Sequence, residues 1–340
     1  MAHGTDHKVL GWGIGVGLGL TVAGVAMGQP DGIDWVTIGD IDNPAYENQF
    51  GGIVDGRGSV GYEYRIGRYE VTTSQWMEFV NTFSTQSDDM RLFGMPSHWG
   101  AVPDGSYDGP GTLWKLSSSI EHAGLVPVNG IDWREAAMLC NWLHNGKSSD
   151  LSAIEDGAYD TSTFTRNSDG SFNDQLTRHP DARYWIPTLD EWEKAAHYDP
   201  NRYGDGLGGW WEYPNASDSA LISGFPGEGQ TSAGLREAGR DIPLGAYTDV
   251  RSPWGLFDVS GGTMEWTEES TSDRQFRWAD GAPTRATEDY FLVDRADQMG
   301  DGRPWSGDLW YGIRLGAAVP APGAGLLLAM TLPYILRRTR

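Results

Sequence analysis

Residues 184–196 read Tyr184-Trp185-Ile186-Pro187-Thr188-Leu189-Asp190-Glu191-Trp192-Glu193-Lys194-Ala195-Ala196. A short aromatic strand ends at Pro187, and a helix starts at once. Thr188 is placed to cap it, and Glu191, three residues on, completes a capping box in which side chain and backbone satisfy each other's free N–H groups. Upstream, Asp132 caps a helix predicted from Trp133 to His144, stopped by Asn145-Gly146. Further upstream, Tyr62 to Val71 alternates aromatic, β-branched and charged residues and reads as a strand. Thr72 or Thr73 can then cap a helix in which Trp76, Phe79, Val80 and Phe83 share one face.

Downstream the pattern loosens. A Gly-rich aromatic region leads to Trp254-Gly255-Leu256-Phe257-Asp258-Val259-Ser260-Gly261-Gly262-Thr263-Met264-Glu265-Trp266-Thr267, and the last ordered piece reads Trp310-Tyr311-Gly312-Ile313-Arg314-Leu315. Residues 84–126 read as loop, and Asn167 to Asp174 as a surface turn rather than a calcium loop, which would need a terminal acidic ligand. Glycine (47) and tryptophan (16) are abundant in the 340 residues, so turns and large aromatic packing units outweigh regular helices. The fold class is α+β with little regular secondary structure, in one domain over 31–318.

The net charge of -22 repels phosphate backbones, and no basic stripe precedes the last four residues, so nucleic acid is excluded as a partner. Residues 1–28 read as a signal peptide: Lys8, an apolar run from Val9 to Val25, and small residues before Gln29. The alternative is a retained membrane helix. Residues 319–340 carry a Pro-rich hinge, an apolar stretch from Ala324 to Leu336 and a basic end from Arg337 to Arg340. The expected localisation is exported, in the cell envelope or outside it, with transient membrane anchoring through this tail. The one cysteine, Cys140, falls in the apolar stretch of the second helix and reads as a core residue.

In this order the segments resemble the formylglycine-generating enzyme, or sulfatase-modifying factor, family. The matches are Gly67-Arg68-Tyr69-Glu70-Val71-Thr72, Pro127 through Trp142, Trp185 through Ala196, Gly255 through Trp266 and Gly312-Ile313-Arg314. The resemblance implies a compact, C-type-lectin-like α+β fold. The oxidising enzymes of the family hold copper(I) on two late cysteines, and between Arg277 and Arg314 this chain has none, so copper is not expected. No catalytic residue is assigned. The His residues outside the leader, His98, His122, His144, His179 and His197, show no ligand spacing.

The family also holds structural calcium, which implies Glu265 and Asn215 as metal ligands here, with Asp218 beside the latter. The plainer readings are that Glu265 bonds to backbone and Asn215 shapes a turn. The tail is similar to PEP-CTERM sorting tails, with Pro320-Ala321-Pro322 in place of the usual Pro-Glu-Pro, which implies processing by signal peptidase and an exosortase-like enzyme. The expected function is an exported, surface-associated, non-oxidising binding or structural module whose partner is a glycan or an envelope protein. Trp99, Trp114, Trp210, Trp211, Trp278 and Trp305 are its candidate contacts, with burial in the core as the alternative for each. The other function is a metal-dependent oxidoreductase of the same family with non-cysteine ligands.

Overall fold

A computed structural model describes residues 31–48, 52–86, 95–286, 294–308 and 310–320. The signal expected over 1–28 and nearly all of the tail expected over 319–340 lie outside the described residues.

Three helices form where the capping signals place them. α1 (Thr73–Ser84) is capped by Thr72, α2 (Trp133–His144) by Asp132 and α4 (Leu189–His197) by Thr188; α3 (Ser152–Glu155) is a single turn. In each of the three longer helices the cap side chain accepts from the N3 amide, and the N3 side chain, Gln75, Glu135 or Glu191, accepts from the cap amide. Trp76, Phe79 and Val80 of α1 are fully buried; Trp76 packs on Phe79, whose ring lies 5.4 Å from that of Trp142 in α2.

Short strands fill the rest. β1 (Trp35–Ile38), β2 (Tyr64–Gly67), β5 (Tyr184–Trp185) and β12 (Gly316–Ala317) make one antiparallel sheet in the order β1-β2-β12-β5, so both ends of the domain lie in the same sheet. β8 (Met264–Ser270), β9 (Arg277–Asp280), β10 (Gly300–Gly302) and β11 (Tyr311–Gly312) make the other, in the order β10-β9-β8-β11, with β11 parallel to β8. The α+β architecture with little regular structure is as the sequence predicts.

Two expectations are corrected. The strand expected over 62–71 is ordered as a ladder only over 64–67, where the four residues of β1 pair with it and β12 adds two on the other side; the chain then turns, the Arg68 amide donating to Asp34 O and the Val71 amide to Ile313 O. The segment 84–126, expected to be loop, holds a hairpin of β3 (Ala101–Pro103) and β4 (Trp114–Leu116). Trp99 and Trp114, 5.1 Å apart, anchor it to the core. A second small hairpin, β6 (Tyr198–Asp199) with β7 (Gly209–Trp210), follows α4 directly.

Candidate binding cleft

The interior between the two sheets is knotted by charge. Arg314 and Glu265 are both 1% exposed at their side chains. Arg314 Nε donates to both Glu265 oxygens at 3.0 and 2.9 Å, and Nη2 to Oε1 at 2.7 Å. The remaining guanidinium hydrogens go to the carbonyls of Gly67, Arg68 and Phe257 at 2.9 to 3.1 Å, so β2, β8 and the 257–258 turn are tied through one side chain. Burial opposes the Arg314 charge, and Glu265 more than restores it, so its pKa is held up.

This occupation decides the calcium expectation at Glu265. Oε2 also accepts from Trp192 Nε1 at 2.6 Å, so both oxygens are committed to donors and a cation there would have to sit against a guanidinium. Glu265 therefore does not fit a calcium ligand; it is the counter-ion of Arg314. Among the described residues its carboxylate oxygens accept from Trp192 and Arg314 side chains, whereas the plainer expectation was a bond to backbone. Asn215 lies in the turn bridged by Tyr213 and Ser217, and its Oδ1 is buried without a donor. Asp218 beside it is committed to Arg202 at 2.5 Å and to the Glu212 amide at 3.1 Å. Among the described residues no three His, Cys, Asp or Glu side chains are grouped to hold a metal ion.

Cys140 is buried, and burial pushes its thiol well above the ordinary range, so it stays protonated as a core residue. His197 is buried too, which pulls its pKa down to about 3 and keeps it neutral. His98 pairs with Asp241 at 2.9 Å beside an open cleft of about 440 Å³ between Ser119–His122 and Ala238–Ala246.

Of the six tryptophans expected as contacts, Trp99 is in the core, while Trp114, Trp210, Trp211, Trp278 and Trp305 are half-buried. Trp210 and Trp211 share an open cleft of about 330 Å³ with Tyr46, Glu47, Asn48, Glu212, Asp218, Arg295 and Asp297. Three distant chain segments meet there. The β6–β7 hairpin presents the two indoles at its end, and each is fixed by its ring N–H: Trp210 donates to Pro44 O and Trp211 to Asp199 Oδ2, both at 3.1 Å.

Trp210 is wedged between Tyr46 and Tyr198, with ring centroids 5.6 and 5.3 Å away, and lies so close to Gly58 that a Cβ there would meet its ring at 2.2 Å. Arg202 stands 4.3 Å from the Trp211 centroid. Of the four carboxylates in the lining, Asp218 pairs with Arg202, while Asp297 and Glu212 lie 3.0 and 3.3 Å from Arg295, which leaves an acidic wall beside aromatic rings. Burial, with Asp297 and Glu193 nearby, pushes Tyr46 up to about 12, so its hydroxyl remains a donor. The sequence pointed to the two tryptophans. It carried no local signal for Tyr46, Glu212, Arg295 or Asp297, which only the fold assembles.

Comparison with known proteins points to the same family. The sulfatase-modifying factor enzyme 1-like domain matches residues 57–311, more than half of the chain. Hercynine oxygenase of Mycolicibacterium smegmatis is 24% identical over 210 residues, covering 60% of this chain and 36% of the oxygenase, so the chain spans about a third of that relative's length. Among solved structures, Treponema denticola variable protein 1 is 15% identical with a TM-score of 0.52, covering 84% of this chain and 95% of its own; CarF is 18% identical with a TM-score of 0.49, covering 85% and 99%. The matched domain covers four of the five ordered motifs and ends just before the fifth, and over more than half of the chain it shows that the chain belongs to the sulfatase-modifying factor enzyme 1-like family.

Proposed function

We propose that this protein is an exported, surface-associated binding module of its family, working without thiol-held copper, and that its ligand is a neutral carbohydrate seated in the Trp210–Trp211 cleft. The observation that carries the reading is the pairing of two anchored indoles with a wall of carboxylates in one open cleft. Sugar C–H faces stack on indole rings, and sugar hydroxyls donate to carboxylates, so the two halves of the lining suit the two halves of a pyranose. The one cysteine of the chain supports the non-oxidising part, since it is committed to the core of α2. The sequence signals at 1–28 and 319–340 support export and transient anchoring. An envelope protein is the other occupant that the cleft would suit.

Trp211→Ala is the decisive variant, because Trp210 also packs the hairpin against Gly58. On a glycan array, wild-type protein is expected to bind uncharged oligosaccharides. Trp211→Ala should bind at least tenfold more weakly, with its thermal midpoint within a few degrees of wild type. Removing one stacking ring typically costs ~1 kcal/mol or more, in line with that loss. An array empty for wild type, or a Trp211→Ala protein that binds normally, would overturn the reading.

The similarity to a hercynine oxygenase favours a second reading, a metal-dependent oxygenase with non-cysteine ligands. Metal analysis of the purified protein separates the two: stoichiometric iron or copper would replace the module with the enzyme.

A further inference from the structure

Away from that cleft, three arginines gather on one indole. Arg166 stands 4.8 Å, Arg134 5.4 Å and Arg303 6.0 Å from the centroid of Trp305, and Arg303 also lies 5.5 Å from Phe276. Their surroundings divide them. Arg134 is spoken for: it chelates the fully buried Asp174 at 2.8 and 2.6 Å and donates to Thr165 O at 3.1 Å, while its own amide holds Pro304 O at 3.2 Å. That contact fixes the turn carrying Arg303 and Trp305 against the start of α2. Arg166 and Arg303 are different. Among the described residues neither is in an ion pair nor donates a side-chain hydrogen bond, although the chain has 47 acidic residues to 25 basic ones. Arg166 is exposed and Arg303 half-buried.

The physics of this arrangement selects a ligand. A guanidinium beside a ring is held by the ring quadrupole, which leaves its N–H fork unsatisfied at the edge. Two such forks within 6.0 Å of one centroid repel each other until an anion lies between them. The fork matches the paired oxygens of a carboxylate or sulfate, and the strong bonds it makes there are bidentate. Beside the forks, Phe276 and Trp305 are both half-buried and offer apolar surface that a free inorganic anion would not use. A sugar ring carrying the oxyanion uses both.

We infer that Arg166 and Arg303, set on Trp305, form a second binding site that takes the carboxylate or sulfate group of an acidic polysaccharide. The site is independent of the Trp210–Trp211 cleft and of the neutral ligand proposed for it. Arg134 acts as a positioning residue, locked by Asp174 and holding the Trp305 turn in place.

The test uses the full mature chain on a biosensor at 150 mM NaCl, with polygalacturonate and dextran sulfate as the two oxyanion sources, uncharged dextran as the control and poly-glutamate as the peptide polyanion. Wild type is expected to bind at least one of the two acidic polysaccharides and not dextran. Arg166→Gln/Arg303→Gln should lose at least tenfold in affinity, while Trp211→Ala should not change it. Which polysaccharide binds identifies the group. Three results would overturn the inference: no binding to either acidic polysaccharide, equal binding by wild type and the double variant, or binding to poly-glutamate as tight as to the polysaccharides. Both substituted side chains lie at the surface outside any ion pair, so a thermal midpoint unchanged within about two degrees is the expected folding control.

Discussion

Arg314→Met is expected to be the most damaging single substitution in the domain, lowering the unfolding free energy by about 3–5 kcal/mol in chemical denaturation. The size follows from what is left behind. Methionine fills much of the space but donates nothing, so Glu265 remains a buried carboxylate with only the Trp192 N–H to stabilise it. The carbonyls of Gly67, Arg68 and Phe257 each lose the Arg314 donor at the same time, although Arg68 O keeps the Phe257 amide. Glu70, fully buried beside the pair, is already pushed well above the ordinary carboxyl range by burial and then by Glu265, so it cannot share the load. Most of the damage is therefore the stranded charge rather than the lost attraction. Adding Glu265→Gln to Arg314→Met removes that charge and should recover a measurable part, about 1–3 kcal/mol by a double-mutant cycle. A double variant no more stable than Arg314→Met alone would show that the carbonyl contacts, not the ion pair, hold the knot.

The same pair shows where the sequence is readable and where it is not. The three helix starts were legible because a cap is a local signal, Thr72 or Thr73 for α1, Asp132 for α2 and the capping box of Thr188 with Glu191 for α4; the structure adds the boxes closed by Gln75 and Glu135. The buried face of α1 was legible for a similar reason, since its periodicity is local. Glu265 was not: its partner is 49 positions away, and nothing near residue 265 distinguishes a core counter-ion from a metal ligand. β12 is two residues long and closes a sheet between β2 and β5, a length at which no alternation can be seen. The binding cleft lay between these extremes. Adjacent tryptophans flagged residues 210 and 211, whereas the 46–48 and 295–297 segments reach them only because the β6–β7 hairpin folds back over the chain near Pro44. The five motifs worked because each is local and their order is global.

The second large effect concerns pH, and it comes from carboxyl groups without counter-ions. Glu193 of α4 and Asp280 at the end of β9 are fully buried and face each other, and among the described residues no group donates to either Glu193 oxygen or to Asp280 Oδ2. Two neighbouring buried carboxyl groups without donors cannot both ionise, so the pair keeps a proton, and burial above all holds both well above the ordinary range. Burial likewise raises Asp258 to about 6 and Asp294 to about 7. In the unfolded chain such groups titrate near ~4. Between that value and the folded one, the folded state carries the extra protons, so raising the pH through the window favours unfolding. Each group that is protonated in the folded state and ionised in the unfolded one costs about 1.4 kcal/mol per pH unit there, and below about pH 4 the difference vanishes because both states are protonated. The thermal midpoint is therefore expected to be higher at pH 5.5 than at pH 8. Glu193→Gln should be more stable than wild type at pH 8 and should flatten the slope, because the amide removes one of the two groups that must stay protonated to be buried there and offers a donor to the unpartnered Asp280 Oδ2. Midpoints for wild type and Glu193→Gln that run parallel from pH 5.5 to 8 would mean that the pair does not carry the proton assigned to it.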